Sequence, residues 1–211
     1  MLHKKACSLL VLIFLLLVKI YPGDILIPVT YFLDPPGHAV RSRQDRALSS
    51  FVFSLSSTKN DSLRGIFVAD KLQYLISYQP TTDPGFVSTN PDTVTYFSAA
   101  ANYGSTGLIA HNYLAGSDFF RITENDEISL VYGDGTVHRF FVTEIREYQA
   151  LSPNSPYSSF VDLANPEKTI SYRDLFFETY GVSDRLILQT CISKSNSDSW
   201  GRLFIIAIPI D

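Results

Sequence analysis

Two apolar runs near the end of the chain, Arg185-Leu-Ile-Leu-Gln-Thr-Cys-Ile192 and Trp200-Gly-Arg-Leu-Phe-Ile-Ile-Ala-Ile208, bracket a polar stretch from Ser193 to Ser199. Each run is short, rich in Leu and Ile, and bounded by turn formers, a pattern that predicts a strand buried on both faces rather than a helix. The stretch between them is expected to be a solvent-facing loop. Cys191 then falls where the first strand ends and Arg202 where the second begins, so pairing of the strands brings a thiol and a guanidinium to one end of a sheet. A nucleophile beside a fixed cation is an arrangement with chemical use.

With 211 residues, 45% of them hydrophobic and 18% charged, the chain can bury one substantial core. Its 15 Phe and 12 Tyr, with frequent Val, Ile and Thr, favour strands. Of its 17 basic residues three, Lys4, Lys5 and Lys19, lie in the first 23, which hold no acid, leaving 14 against 21 acids from Asp24 onward. That balance argues against nucleic acid as a partner, because phosphate binding needs a concentrated basic surface.

Lys4 and Lys5 precede an unbroken apolar run, Ala6 to Val18, with the charge and length of a secretory signal core. Export is the expectation. The run is short for a span of about twenty residues, yet no small-x-small cleavage pair follows it, only Lys19-Ile-Tyr-Pro-Gly23. Lys19 can snorkel and Tyr21 can sit at the interface. Those features favour an uncleaved signal-anchor, with the N-terminus inside and the domain on the extracytoplasmic face of the cell membrane; a cleaved, secreted form is the alternative. Residues 1–21 are thus read as the targeting segment, 22–64 as a linker and juxtamembrane region, and 65–211 as the folded domain. Cys7 lies in the targeting run, so that domain holds a single thiol, Cys191. An unpaired cysteine in an oxidising compartment is either buried and inert or reactive. Its position at a strand end beside a polar loop favours the second.

The chain breaks at Asp34-Pro-Pro-Gly37, and the charged stretch 41–46 and Ser-rich stretch 54–62 read as a tether, with Phe51-Val-Phe53 a short strand or helix. Strands are predicted over 66–68 and 73–79, then a short helix within 93–103 capped by Asp92 and Gly104. Gly107-Leu-Ile-Ala-His111 is apolar up to a histidine, and strands over 127–132 and 136–148 flank a hairpin turn at Gly133-Asp-Gly135. From 149 to 184 the strand pattern lapses into a Pro-rich loop and a short helix, Tyr172 to Tyr180, closed by Gly181. Six to eight strands and two short helices suit a mainly all-β fold, a mostly antiparallel closed barrel.

A free cysteine is mostly thiol at neutral pH, so a reactive one needs a base or cation nearby. His38 falls in the Pro-Gly linker and His138 beside Arg139 on an ordinary hairpin strand, and both read as solvated surface residues. His111 ends an apolar strand and enters the loop-like Asn112-Tyr-Leu-Ala-Gly116; taken alone, it suits a structural and a catalytic role equally. Glu124, Asp126 and Glu127 form an acidic cluster, but their spacing is not that of a calcium-binding EF-hand loop, and a solvated face fits them better. No cofactor is assigned.

Leu188-Gln-Thr-Cys191, Trp200-Gly-Arg202 and, about eighty residues upstream, Ala110-His111-Asn112 together resemble the sortase family of cysteine transpeptidases, over roughly Gly65 to Ile210. The family's strand end reads Thr-Leu-x-Thr-Cys; here Ile187 stands in place of the first Thr while Leu188, Thr190 and Cys191 match, which suggests a divergent subgroup. The resemblance implies an eight-stranded sortase-like barrel anchored on the outer face of a bacterial membrane. It further implies Cys191 as nucleophile, His111 as proton donor to the leaving amine and Arg202 as the group holding peptide or oxyanion, with Thr190, Leu188 and Asn112 in substrate binding. The implied substrates are a sorting-signal peptide related to Leu-Pro-x-Thr-Gly and an accepting amine on the cell wall or a pilin. Two alternatives stand beside it. An L,D-transpeptidase-like enzyme uses similar parts, but there the Arg closely follows a Ser-x-Gly-Cys-type context. A non-catalytic surface binding module would bury Cys191 inertly.

Overall fold

The computed structural model describes residues 36–56 and 60–210. In chain order the elements are α1 (Pro36–Leu55), β1 (Leu63–Val68), β2 (Leu72–Tyr78), β3 (Thr93–Phe97), α2 (Ser98–Ala101), β4 (Thr106–Ile109), a 3-10 helix (Ala115–Arg121), β5 (Glu127–Tyr132), β6 (Val137–Ala150), β7 (Phe160–Asp162), β8 (Thr169–Ile170), α3 (Tyr172–Tyr180), β9 (Leu186–Lys194) and β10 (Ser197–Pro209). Hydrogen bonding runs β10-β9-β4-β3-β2-β1-β5-β6 and returns from β6 to β10, so eight strands close into a barrel, and β7 and β8 continue from β6 outside the ring. All pairings are antiparallel except β2 with β3 and β4 with β9.

The C-terminal runs are buried on both faces, and the alternation of a strand explains how. Leu186 and Leu188 of β9 enter the barrel core with Leu203, Ile205 and Ala207 of β10. Ile187 and Phe204 point the other way, into a second cluster with Tyr148, Phe160, Ile170, Leu175 and Tyr180. Burying each such side chain stabilises the fold by about 1.5–3 kcal/mol. The barrel is therefore roofed on this side by the segment that follows β6.

Several expectations are corrected. The stretch Ser193 to Ser199 is not a loop: β9 and β10 run through it and turn at Ser195 and Asn196, both with positive φ (52 and 62). Two left-handed residues at the tip match the twist of a tight hairpin, so Cys191 lies within β9 rather than at its end. The first half of the segment read as a helix at 93–103 is β3, because Thr-Val-Thr-Tyr-Phe suits a pleated surface and pairs parallel with β2 from Thr93↔Leu75 to Tyr96↔Tyr78. Only Ser98–Ala101 is helical, and its N-cap is Phe97 rather than Asp92. The segment between 149 and 184 contains two short strands, β7 and β8, besides the expected helix α3, whose N-cap Ser171 accepts from the Asp174 backbone N–H. The hairpin at Gly133-Asp-Gly135 forms as expected, with Gly135 at φ +91.

Residues 36–55, read within the tether, form α1, and Pro36 onward belongs to one compact unit. Leu48, Phe51, Val52 and Leu55 recur at helical spacing and pack on Phe67 and Val131 of the barrel. His38 falls on the first turn of this helix. The apolar run 6–18 lies outside the described residues, and among those described no helix is long and apolar enough to cross a membrane.

Candidate active site

Three neighbouring strands, β4, β9 and β10, set the site. Cys191 and Arg202 are direct partners across the β9–β10 pair, and directly opposed residues share a face. On the other side of β9 the parallel register ends at Ile109↔Gln189. It is extended by Ala110 N–H donating to the Gln189 carbonyl at 3.2 Å and by the Thr190 hydroxyl donating to the Ala110 carbonyl at 2.9 Å. Two residues beyond the last pair, His111 comes level with Cys191. Imidazole, thiol and guanidinium thus derive from one row across three strands.

That row lies at the edge of the roofed face. Counting back from Cys191 by twos gives Gln189 and Ile187, the latter in the outer cluster. Cys191 itself is partly exposed, which separates it from the inert core cysteine of the binding-module alternative. Beside the row opens a groove of about 510 Å³ whose barrel side is Gln189, Arg202 and Phe204 and whose other walls are mostly aromatic, from Phe160 and from Tyr172, Phe176 and Phe177 of α3. Tyr180, at the end of α3, donates its hydroxyl to Gln189 Oε1 at 2.7 Å. Burial pushes the Tyr180 phenol up, so it is a neutral donor.

Arg202 is held at one end only. Its Nη1 donates to the carbonyls of Ser199 (3.0 Å) and Gly201 (2.8 Å), and the guanidinium carbon stands 6.0 Å from the Phe160 ring centre. Among the described residues Arg202 forms no ion pair, and its Nε and Nη2 take no partner. An unneutralised cation with free donors can stabilise an oxyanion.

The loop after β4 is tied down tightly. The His111 carbonyl accepts from the backbone N–H of Leu114 and of Gly116, each at 3.0 Å. A side chain at Gly116 would run into the Thr190 hydroxyl and the Ala110 and His111 carbonyls, so the close approach requires glycine.

The residues expected to bind substrate sort differently. Leu188 is fully buried in the barrel core and Thr190 is 2% exposed, both facing away from Cys191 because they differ from it by an odd number of positions. They correct the expectation of substrate contact: Leu188 packs, and Thr190 fastens β9 to the strand carrying His111. The Asn112 amide donates to Ser193 Oγ at 2.6 Å and to the Asp198 carbonyl at 2.9 Å, joining the His111 loop to the β9–β10 hairpin. Gln189, which sequence reasoning did not single out, lines the groove with Tyr180 instead; the period-two count from Cys191 points to Gln189.

His138 is remote. Arg202 pairs with Tyr148 on β6, and ten residues of strand at about 3.3 Å each separate Tyr148 from His138, whose ring packs on Tyr132 with centres 4.7 Å apart. In the acidic cluster, Asp126 accepts from the Thr123 backbone N–H at 2.6 Å and Glu127 pairs with Arg139 at 3.4 Å.

In fold the chain is similar to solved sortases at low identity. Sortase A from Corynebacterium diphtheriae aligns with 14% identity over 86% of this chain and 88% of that one, with a TM-score of 0.48. Sortase C1 from Streptococcus suis aligns at 13% over 84% and 87%, TM-score 0.47, and a sortase C of Streptococcus pneumoniae at 13% over 83% and 94%, TM-score 0.46. The sequence matches no family model and no curated protein.

Proposed function

We propose that this protein is a cysteine transpeptidase of the sortase kind, which cleaves a C-terminal sorting signal related to Leu-Pro-x-Thr-Gly and joins the cleaved protein to an amine of the cell wall or a pilin. One observation carries the reading: Cys191 and Arg202 are opposed across β9 and β10, and His111, two residues past the end of β4, comes level with them beside a groove walled largely by aromatic side chains. The Cys191 thiolate adds to the carbonyl carbon of the Thr, the one bonded to the Gly nitrogen. As the tetrahedral intermediate collapses the C–N bond breaks, His111 gives a proton to the departing amine, and a thioester remains on Cys191. The free Nε and Nη2 of Arg202 are suited to hold the oxyanion, an effect worth a few kcal/mol. The incoming amine then adds to the thioester carbon and passes a proton to His111, and the C–S bond breaks to give an amide and the thiolate. On this reading the N-terminal segment anchors the enzyme at the extracytoplasmic face of the membrane, where both substrates occur.

The test is to incubate the protein with a library of Leu-Pro-x-Thr-Gly variants and seek the acyl adduct on Cys191 by mass spectrometry. The expected result is an adduct with the mass of the peptide up to Thr, discharged by an added amine. Cleavage that persists in Cys191→Ala, or no adduct with any member of the library, would overturn the reading.

A further inference from the structure

A catalytic imidazole needs its plane fixed, and the usual device is a hydrogen bond from a third group to the nitrogen that faces away from the chemistry. His111 has none: among the described residues neither ring nitrogen takes a hydrogen bond. What it does have is Tyr113, whose ring lies over the imidazole with centres 5.1 Å apart and planes 21° apart. Tyr113 is 65% exposed, so it is not in place to fill a core.

The backbone under the stack is immobilised on both sides. The bonds from Leu114 and Gly116 to the His111 carbonyl close the turn beneath it, and the Asn112 amide, between the two rings in sequence, reaches across to Ser193 and Asp198. With the backbone held, the freedom left to His111 is rotation of its ring, and a flat partner on one face limits that rotation. Stacking also leaves the ring's edge untouched, and the edge carries both nitrogens. One can face the sulfur or the leaving amine while the other exchanges protons with solvent.

We propose that Tyr113 is the positioning residue of the site, orienting His111 by ring stacking in the place where a carboxylate or amide would otherwise hold the far nitrogen. This rests on the reading of His111 as the general acid. The phenol hydroxyl has no share in it; the flat ring does.

The experiment uses the full chain in three forms, wild type, Tyr113→Leu and Tyr113→Phe, with two readouts. The first needs no substrate: the carbon-bound ring protons of His111, assigned by their loss in His111→Gln, are followed by NMR. A stacked ring moves them upfield, so Tyr113→Leu should return them toward free-histidine positions and Tyr113→Phe should leave them displaced. The second is cleavage of the best peptide from the Leu-Pro-x-Thr-Gly library. Tyr113→Leu should lower kcat by roughly three- to tenfold, the factor that a stack of ordinary strength corresponds to, with KM unchanged, and Tyr113→Phe should restore it. Unshifted ring protons in Tyr113→Leu, an unchanged kcat, or a loss confined to KM would overturn the proposal. Should the wild type cleave no peptide, the proposed function fails and the ring-proton result alone decides whether Tyr113 orients His111.

Discussion

Backbone pairing places His111, Cys191 and Arg202, whereas side chains place the groove beside them. β9 and β10 are in register from Leu186↔Ala207 through Cys191↔Arg202, and β4 is in register with β9 up to Ile109↔Gln189. A slip of one residue would send every side chain to the opposite face, so the row is all or nothing. The segment from 151 to 185 has only five residues in strands. It is seated instead by aromatic contacts such as Phe97 with Tyr180 at 5.2 Å and Tyr103 with Phe176 at 5.5 Å, and by the Tyr180 bond to Gln189. The row is thereby fixed by the part of the fold least able to drift, and the groove wall by a part that single substitutions can reshape.

The hardest test of the first half is Cys191→Ala, which should abolish cleavage and adduct formation while leaving the melting temperature nearly unchanged, because the thiol is partly exposed. A large fall in melting temperature would mean that Cys191 packs rather than reacts. Next in size, His111→Ala and Arg202→Ala should each lower kcat/KM by about 10²- to 10⁴-fold, and the double variant should fall by less than the product of the two. His138→Ala should leave it unchanged. A sensitive His138 would show that the row across β4, β9 and β10 is not the reacting centre.

How far each half could be read in advance follows from the same contrast. The placement of His111, Cys191 and Arg202 in one row was legible because the two C-terminal strands are continuous Leu and Ile runs whose pairing needs no other element, and β4 ends in an apolar stretch just before His111. What Thr190 and Leu188 do was not legible: when both faces of a strand are apolar, periodicity cannot say which residues face the barrel and which face the roof. The hairpin beyond Cys191 was missed because its strand residues are Ser, Lys and Asp, which read as loop, although Ser195 and Asn196 make a good two-residue turn. α1 was hidden by the Arg and Ser residues between its packing positions. β7 and β8, of 3 and 2 residues, are too short to show a period at all.

For the groove, a smaller and more selective change is expected. Leu175, on the buried side of α3, is 3% exposed, so Leu175→Ala should cost about 2–5 kcal/mol of stability and raise KM for the peptide as the helix loosens. Exchanging residues 149–184 for the matching segment of a sortase with another motif should change which peptide is cleaved. In both proteins the alkylation rate of Cys191 by a small thiol reagent should hold at the wild-type value, since the register that presents it is untouched. A folded chimera that kept its original peptide preference would place specificity elsewhere on the barrel.

The smallest effect concerns the polar side of the same seat, a cavity of about 540 Å³ where Glu144 and Arg146 of β6 lie near Lys168 and Glu178 of the roofing segment. Arg146 Nε and Nη2 donate to the two Glu144 oxygens at 2.6 and 2.7 Å. These bonds hold the Glu144 carboxyl below its ordinary range. A carboxylate depressed in the folded state adds stability above its unfolded pKa of about 4.3 and loses it as pH falls through the folded value. Glu144 is 45% exposed, so solvent screening keeps the contribution below about 1 kcal/mol. Glu144→Gln should therefore melt slightly below the wild type at pH 7, and the gap should close as pH is lowered from about 4.3. The gap should also shrink in high salt at pH 7. A gap that stayed constant with pH would mean that Glu144 acts here through packing, and that this side of the segment, like the aromatic side, is held by side-chain shape.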